Sequence, residues 1–277
     1  MPTRVRTNFF ANGYCRHLLR LVDGKTWKVG RFHAVFLAVE HPTHGLALVD
    51  TGYSDRFRAA SRRWPHCLYR WASPAVDPLS TSACLRSAGF DPEAVRSVIL
   101  SHFHADHVGG VRDFPHARFY YHQNALSVFE ARSAWGQTRS AFLPELLPQD
   151  FKTRSLPLQA SYFSPCSWSP ALSGYDLFGD GSIVLISLPG HAPGHCGVYL
   201  QDQDGPILYA ADAFWHHHEL DEAVAPAWLA RLFLDDNSAY RSTVSILRDL
   251  RGRSDLRLLA CHCPQTQALV SNLPRHA

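Results

Sequence analysis

Short apolar runs recur along the chain, and most are followed at once by turn-forming or polar residues, a pattern that predicts buried β-strands. The predicted strands cover residues 32–39, 46–49, 98–100, 118–121, 182–188, 197–200, 207–210 and 256–260. Apolar residues at helical spacing lie between these strands, over residues 56–71, 81–87, 123–132 and 237–251. Strands interleaved with helices predict an α/β fold in which layered sheets carry helices on the outside.

The chain shows no internal repeat and no long linker, so we expect a single domain over residues 1–277. One segment, about 133–174, departs from the pattern because it is rich in Ser, Pro and aromatic residues and has no clear period. We expect it to be an irregular insertion that overhangs a site. Asp91-Pro92-Glu93 predicts a helix start, with Asp as the cap and Pro in the first helical position.

Composition narrows the class of protein. A hydrophobic fraction of 46% and a charged fraction of 18% exclude a disordered chain, a coiled coil and a collagen-like fibre. The 27 Lys and Arg barely exceed the 24 Asp and Glu, and a formal charge of +3 does not predict a nucleic-acid partner. The 17 His are more informative, because His is the commonest nitrogen ligand of transition metals.

Cysteine usage and the N-terminal segment bear on location. Residues 1–21 contain four Arg and no continuous apolar core, so they do not predict a secretory signal, and no apolar run is long enough for a membrane helix. The seven Cys are scattered and form no CxxC pair, which argues against a disulfide framework or a zinc ribbon. We therefore expect a cytoplasmic protein without a membrane partner.

The segment from His102 to His107, with the pattern His-x-His-x-Asp-His, directly follows a predicted buried strand. Three imidazoles and one carboxylate in so short a segment need partners if they are buried, and a divalent metal is the simplest partner. His102 and His104 can reach one ion, while Asp106 and His107 point to a second position. Gly109-Gly110 is expected to let the backbone turn sharply away from the cluster.

Three further candidate ligands occupy the same place, just beyond the ends of other predicted strands. These residues are His191, Asp212 and His262. Imidazole and carboxylate suit zinc, and iron or manganese less selectively. The combined set predicts a metal centre at the carboxyl ends of several strands.

These residues resemble the metal signature of the metallo-β-lactamase superfamily, and Asp50-Thr51-Gly52 resembles that family's first motif. The likeness extends from about residue 8 to residue 265. It implies an αββα sandwich with a dinuclear site at one edge. The implied ligands are His102, His104 and His191 for the first metal, Asp106, His107 and His262 for the second, and Asp212 as the bridge. The match also implies that Asp50 supports the ligand loops from behind and fixes an imidazole tautomer.

The resemblance implies a dinuclear zinc hydrolase, with Fe or Mn as other metals. A hydroxide bridging two cations is a nucleophile near neutral pH, and one cation polarises the substrate carbonyl. Asp106 is the implied catalytic residue, which orients the hydroxide and passes a proton to the leaving group. The expected small-molecule substrate is a carboxylic ester, first of all a lactone, with thioesters and amides within the same chemistry.

The layout is similar to that of the metallo-lactonases that open acyl-homoserine lactones, and this likeness includes Gly13-Tyr14-Cys15 and the strand pair that ends in Asp50. Those enzymes place a Tyr three residues after the bridging Asp, whereas this chain has Trp215. An indole cannot replace a phenol as an acid or oxyanion donor. A homodimer is an expectation from the same likeness.

Three alternatives stay open at this point. They are a thioesterase similar to glyoxalase II, a mono-iron persulfide dioxygenase, and a non-catalytic relative that binds a ligand. Metal content together with a panel of esters, lactones and thioesters separates them.

Some nearby residues are assigned supporting parts. His195 follows the ligand His191, and we expect it to support the ligands or cap a strand rather than bind metal. Phe214, Trp215 and His216 follow the bridging Asp212, and we expect them to contribute to a substrate pocket. An apolar pocket would suit an acyl chain or an aromatic group.

Overall fold

The structure is a computed structural model that describes residues 3–221 and 228–270. Within these residues, two six-stranded sheets are formed. The first sheet contains, in spatial order, β1 (Arg6–Leu18), β2 (Val29–His41), β3 (Gly45–Val49), β4 (Val95–Ile99), β5 (Arg118–His122) and β6 (Ser155–Leu158). The second contains, again in spatial order, β7 (Ser164–Cys166), β8 (Ser169–Asp176), β9 (Ile183–Ser187), β10 (Cys196–Leu200), β11 (Ile207–Tyr209) and β12 (Arg257–Leu259).

The helices of the described residues are short, apart from the one that precedes β12. They are α1 (Arg20–Asp23), α2 (Phe57–Ala60), α3 (His66–Ala72), α4 (Thr81–Ser87), α5 (Ala105–Val108), α6 (Gln123–Ala131), α7 (Ala134–Arg139), α8 (Phe151–Arg154), α9 (His218–Asp221), α10 (Trp228–Arg231), α11 (Asn237–Arg251) and α12 (Pro264–Gln267). In that part of the chain, no helix is both long and apolar enough to cross a bilayer.

Strand direction brings the ends of several strands to the same place. In the first sheet, β3 pairs with β4 in parallel, so both strands end at one edge. In the second sheet, β10 is antiparallel to both β9 and β11, so β9 and β11 run the same way, and β12 is parallel to β11. The carboxyl ends of β9, β11 and β12 therefore also lie at one edge.

Side-chain alternation along β2 explains how the layers stack. Ala34, Phe36 and Ala38 pack into an apolar cluster with the helices of the first sheet. Val35, Leu37 and Val39 point the other way, into a cluster shared with β9, β10 and β11. A third cluster joins the outer face of the second sheet to α11. Because both faces of the sheets are covered there, the central strands are almost continuously apolar. The predicted αββα sandwich is confirmed.

Two helix predictions need correction or refinement. Residues 56–71 form two helices, α2 and α3, rather than one. The hydroxyl of Ser61 donates to the Phe57 carbonyl at the end of α2, and Pro65 has no amide hydrogen with which to continue a helix. The Asp91-Pro92-Glu93 start is present, because the Asp91 side chain accepts from the Glu93 amide, but it opens only a three-residue 3₁₀ turn.

The segment 133–174 is more regular than expected. It contains α7 and α8, and it also supplies β6, β7 and β8. Of these, β6 and β7 are edge strands of the two sheets, and β8 pairs with β7. Edge strands bond on one side only and tolerate proline, as at Pro157 and Pro165, so they lack the periodicity of central strands. Strand β1 was also absent from the sequence prediction. The single-domain assignment stays a prediction.

Candidate metal centre

The predicted ligands converge where the two sheet edges meet. Asp50 follows β3, the segment His102 to His107 follows β4, and the other three ligands follow β9, β11 and β12. Their side chains are buried, except that of His104, which is half-buried. Two groups of donor atoms result, and in each group the atoms lie within 4.8 Å of one another.

The first group consists of His102, His104, His191 and Asp212. Nε2 of His191 lies 3.1 Å from Nδ1 of His104 and 3.4 Å from Oδ2 of Asp212. These atoms all carry lone pairs when the imidazoles are neutral. Such close approach of lone-pair donors fits a cation held among them.

The second group consists of His107, Asp212, Cys261 and His262. Nε2 of His262 lies 3.4 Å from Oδ2 of Asp212 and 3.4 Å from Oδ2 of Asp106. Oδ1 of Asp212 lies 3.5 Å from Nε2 of His107. Asp212 thus touches both groups. The Cys261 sulfur accepts from the Val35 amide at 3.3 Å, which ties it to β2.

Several buried donor atoms fit bound cations because they have no hydrogen-bond partner within residues 3–221 and 228–270. These atoms are Nε2 of His102, Nε2 of His107 and Oδ1 of Asp212. A buried polar atom without a partner costs about 1–3 kcal/mol. Imidazole nitrogens and carboxylate oxygens are good ligands of zinc and related divalent metals. The residues of this centre therefore fit two divalent cations.

Asp50 and Ser101 set the tautomers of two of these imidazoles. The Ser101 hydroxyl donates to Oδ2 of Asp50 at 2.8 Å, so its oxygen is left to accept from Nδ1–H of His102 at 2.9 Å. Nδ1–H of His107 donates to the same Asp50 oxygen at 2.8 Å. When the rings are neutral, both imidazoles consequently present an unprotonated Nε2 to the centre. The sequence analysis missed Ser101, although its position between β4 and the first His is a usable signal.

Asp50 reaches this position through an uncommon backbone conformation. Its φ is +59°, and that of Ala211, just before the bridging Asp212, is +47°. Residues other than glycine seldom adopt such angles, and they persist where the surrounding structure demands them. Both lie where a strand turns toward the metal centre. Oδ1 of Asp50 accepts from the Ser101 amide at 2.8 Å and so holds the two loops together.

His195 and His262 each donate a hydrogen bond from Nδ1–H to a backbone carbonyl. Nδ1–H of His262 donates to the carbonyl of His33 at 2.9 Å, leaving Nε2 for the centre. Nδ1–H of His195 donates to the Leu188 carbonyl at 2.9 Å, and its Nε2 accepts from the Asp212 amide at 3.2 Å. Burial lowers the pKa of His195 to about 4, so the ring stays neutral. With both nitrogens occupied, His195 positions Asp212.

Burial and charge also set the ionisation of the donor groups. Burial lowers the pKa of His102 well below 6.5, and the neighbouring His107 and His104 lower it further. Burial alone would raise the pKa of Asp212, but the charges of His262 and His107 outweigh it and hold the pKa well below the usual range. The Asp212 carboxylate is therefore ionised, which suits a cation.

Glycines near the centre permit close packing of the loops. Gly109 and Gly110 have negative φ, so the expected sharp turn through glycine flexibility is wrong. Instead, a Cβ on Gly109 would lie 2.7 Å from the Gly52 carbonyl oxygen, and one on Gly110 would overlap the Thr81 hydroxyl. These two positions need glycine because two loops pass very close to one another.

A largely apolar cavity of about 610 Å³ opens onto the centre. Trp215 lines it, and its ring stands perpendicular to that of His191 with centroids 5.8 Å apart. The other two pocket predictions need correction. Phe214 is fully buried in the cluster behind the second sheet, and His216 stacks on His218, so neither is among the lining residues. Short-range hydrogen bonds turn the chain just after Asp212. The consecutive side chains of Phe214, Trp215 and His216 therefore point to different surroundings.

Tyr53, Tyr69 and Arg139 line the cavity but were missed in the sequence. Tyr53 is buried in the wall, packed edge-on against Phe57, whereas Tyr69 is only partly buried. Burial raises the pKa of both phenols well above 10, so both stay protonated. No local pattern distinguishes such residues, because helix α3 and the loop after β3 approach the centre only in the folded chain.

Comparisons with known proteins agree with this geometry. The family model described as metallo-beta-lactamase superfamily matches residues 29–262. The N-acyl homoserine lactonase AttM of Azorhizobium caulinodans is 27% identical over 248 residues, which cover 86% of this chain and 85% of that protein. A solved quorum-quenching N-acyl homoserine lactone lactonase aligns with a TM-score of 0.70 at 18% identity, over 96% of each chain. AidC, a dizinc quorum-quenching lactonase, aligns with a TM-score of 0.65 at 16% identity, over 95% of this chain and 89% of its own.

The matched range covers most of the chain, and it includes β2 to β12 and every donor group described above. The two layered sheets and the His and Asp groups at their shared edge agree with it. This protein belongs to the metallo-beta-lactamase superfamily.

Proposed function

We propose that this protein is a hydrolase that opens small lactones with the help of two divalent cations, zinc by preference. One observation carries the proposal. Seven His and Asp side chains from four strand ends converge at the floor of an apolar cavity, and buried donor atoms among them have no partner among the described residues. Relatives that are named N-acyl homoserine lactonases support the lactone, and the dizinc lactonase AidC supports the zinc.

His102, His104 and His191 would hold the first cation, Asp106, His107 and His262 the second, and Asp212 would bridge. When bound, the cations would supply Lewis acidity toward the ester carbonyl and toward the attacking water. All other tasks belong to the side chains. Asp50, Ser101 and His195 keep the donor atoms aimed at the centre through the hydrogen bonds given above.

Asp106 is the proposed proton carrier. It lines the cavity, and its Oδ2 lies between the ring nitrogens of His262, at 3.4 Å, and His107, at 3.8 Å. Burial opposes its ionisation, but positive charge on those two rings when they are protonated lowers its pKa to about 2, and a cation held by the same rings would act in the same direction. An ionised carboxylate here can orient the attacking water and relay its proton toward the ring oxygen that leaves.

Tyr69 is the proposed hydrogen-bond donor to the substrate carbonyl, in place of the phenol that Trp215 cannot supply. The indole of Trp215 packs against His191 and forms a wall. Tyr69 faces the cavity from α3, and burial keeps its hydroxyl protonated. A neutral hydroxyl can donate to an oxygen on which charge develops during ring opening.

A lining that is mostly apolar supports a substrate with an acyl chain. A reducing, cytoplasmic location is also part of the proposal, supported by seven cysteines that are all free thiols. A homodimer stays a prediction from family likeness.

The test is a panel of three substrates: an N-hexanoyl homoserine lactone, an aryl ester and an acyl thioester. Hydrolysis of each is measured as proton release with a pH indicator. We expect the lactone to have the highest kcat/KM, and Asp106→Asn to lower it by at least a hundredfold. Asp180→Asn is the matched control, because Asp180 pairs with His41 at 3.0 Å in a separate Asp–His contact. A higher kcat/KM for the thioester than for the lactone would overturn the proposal. So would a protein that binds two metals but hydrolyses none of the substrates.

A further inference from the structure

Positive charge is concentrated in two segments, residues 16–31 and 55–73, which we call the basic rim. These 35 residues carry ten of the chain's 27 Lys and Arg but only two of its 24 Asp and Glu. Their formal charge is therefore +8, whereas the whole chain has +3 and the remainder has −5. A sign asymmetry of this kind indicates a surface that meets an anionic partner.

The fold brings the two segments together around one opening. Nε2 of His17 lies 3.0 Å from the hydroxyl of Ser73, which joins them directly. Leu21 and Val22 of the first segment and Leu68, Tyr69 and Ala72 of the second line the same cavity. Arg16, Arg20, Arg31, Arg58, Arg62 and Arg63 of the same two segments are exposed. The basic rim thus borders the cavity that opens onto the metal centre.

Large aromatic side chains are exposed on the same rim. Trp27, Trp64 and Trp71 have exposures of 71%, 70% and 70%, and Trp135 and Phe233, which line the cavity, have 57% and 62%. The rings of Trp64 and Trp135 lie 6.0 Å apart, so helix α7 continues the aromatic surface. Exposed rings gathered in one place mark an interaction surface rather than scattered surface apolarity.

We propose that the basic rim docks on an anionic lipid surface, with its tryptophans at the level of the headgroups. Tryptophan is enriched at membrane interfaces because its ring is apolar and its N–H is polar, and arginines are attracted to anionic lipids. The sequence analysis expected no membrane partner because no segment can cross a bilayer, but docking on the surface requires none.

Two other partners fit the surface less well. A second copy of the chain, related by a two-fold axis, would place one basic rim against another, and like charges repel. A nucleic acid would satisfy the arginines, but it offers no apolar phase for rings grouped at the mouth of an apolar cavity. A lipid surface satisfies both the charge and the aromatic rings.

Co-sedimentation of the metal-loaded protein with vesicles tests the proposal. We expect binding to vesicles that contain phosphatidylglycerol, little binding to pure phosphatidylcholine, and weakening at high salt. Arg62→Ala combined with Arg63→Ala should weaken binding by at least tenfold, because each basic residue near such a surface contributes about fivefold. Arg96→Ala combined with Arg118→Ala is the matched control, because these exposed residues lie near the starts of β4 and β5, at the opposite end of the sheet.

The tryptophans are tested separately. Trp64→Ala combined with Trp71→Ala should abolish vesicle binding and leave the circular dichroism and the metal content unchanged. In the wild type, lipids brominated on the acyl chain should quench tryptophan fluorescence. Three results would overturn the proposal: no binding to anionic vesicles at low salt, equal weakening by the control pair, or binding of an oligonucleotide or a second copy without binding of vesicles. Because the readout is binding, it is independent of which substrate the enzyme hydrolyses.

Discussion

Oδ2 of Asp50 lies 2.8 Å from Nδ1 of His107, and neither side chain is exposed to solvent. The same oxygen accepts from the Ser101 hydroxyl, which in turn accepts from His102. One carboxylate behind the centre therefore fixes imidazoles that the proposed assignment gives to two different cations.

Asp50→Asn should lower the affinity for metal by about 10–100-fold, the usual effect of losing such a supporting partner. An amide has one acceptor oxygen, so its NH₂ group would face either the Ser101 amide or Nδ1–H of His107. Metal content is measured by mass spectrometry after dialysis against a graded chelator. Asp180→Asn is the control, and equal metal retention by the two variants would contradict the prediction.

His195→Ala should keep most of the metal but lower kcat about tenfold, because the Asp212 amide loses the acceptor at 3.2 Å that positions the bridging carboxylate. His191→Ala, which removes a donor of the first group, should lose metal. Both variants are assayed for metal content and lactone turnover. The assignment of His195 is wrong if His195→Ala loses as much metal as His191→Ala.

Tyr69→Phe should lower kcat on the lactone by about 10–100-fold, because a hydrogen bond to a developing charge contributes about 1.5–3 kcal/mol. KM should change little, since the interaction strengthens in the transition state. Tyr121→Phe is the comparison, because Tyr121 is buried in the apolar cluster against which Tyr69 packs but does not line the cavity. Equal loss of kcat in the two variants would argue for packing instead of hydrogen-bond donation.

Glu219 should make stability depend on pH. Its carboxylate accepts from the Trp215 and His216 amides and from the Tyr240 hydroxyl, but burial dominates and raises its pKa from 4.5 to about 7. Between these values the folded chain holds a proton that the unfolded chain has lost. The free energy of unfolding should therefore fall as the pH rises through this window, by at most about 3 kcal/mol.

Glu219→Gln removes this titration and keeps an acceptor for the two amides. Both proteins, loaded with the same metal, are unfolded in urea at pH 5 and at pH 8. The free energy of unfolding of the variant, relative to that of the wild type, should be higher at pH 8 than at pH 5. Parallel curves for the two proteins would contradict the raised pKa.

Local patterns in the sequence predicted layered sheets with outer helices and the candidate ligands, whereas the αββα sandwich was implied by the family resemblance. Central strands are apolar on both faces, and each donor residue follows such a strand, as His191 follows β9 and His262 follows β12. Strand β1 was not predicted, because polar and exposed residues interrupt it and its register shifts between Ala11 and Tyr14. No regular spacing of apolar residues marks such a strand.

The cavity depended on three-dimensional placement and was less predictable. Phe214 and Trp215 are adjacent, yet one is fully buried in the core and the other lines the cavity. Tyr69 reaches the same cavity from α3, far away in the sequence. Closeness in sequence to a candidate ligand was therefore a poor guide to the pocket residues. Placement just after a strand was a good guide to the candidate ligands.

The most direct test of the central claim is the number of metal ions bound per chain, measured together with lactone hydrolysis during removal and return of metal. We expect two equivalents of a divalent metal, loss of both ions and of activity in a strong chelator, and recovery of activity with the second equivalent of zinc. Undiminished lactone hydrolysis by a chain without metal would contradict the account.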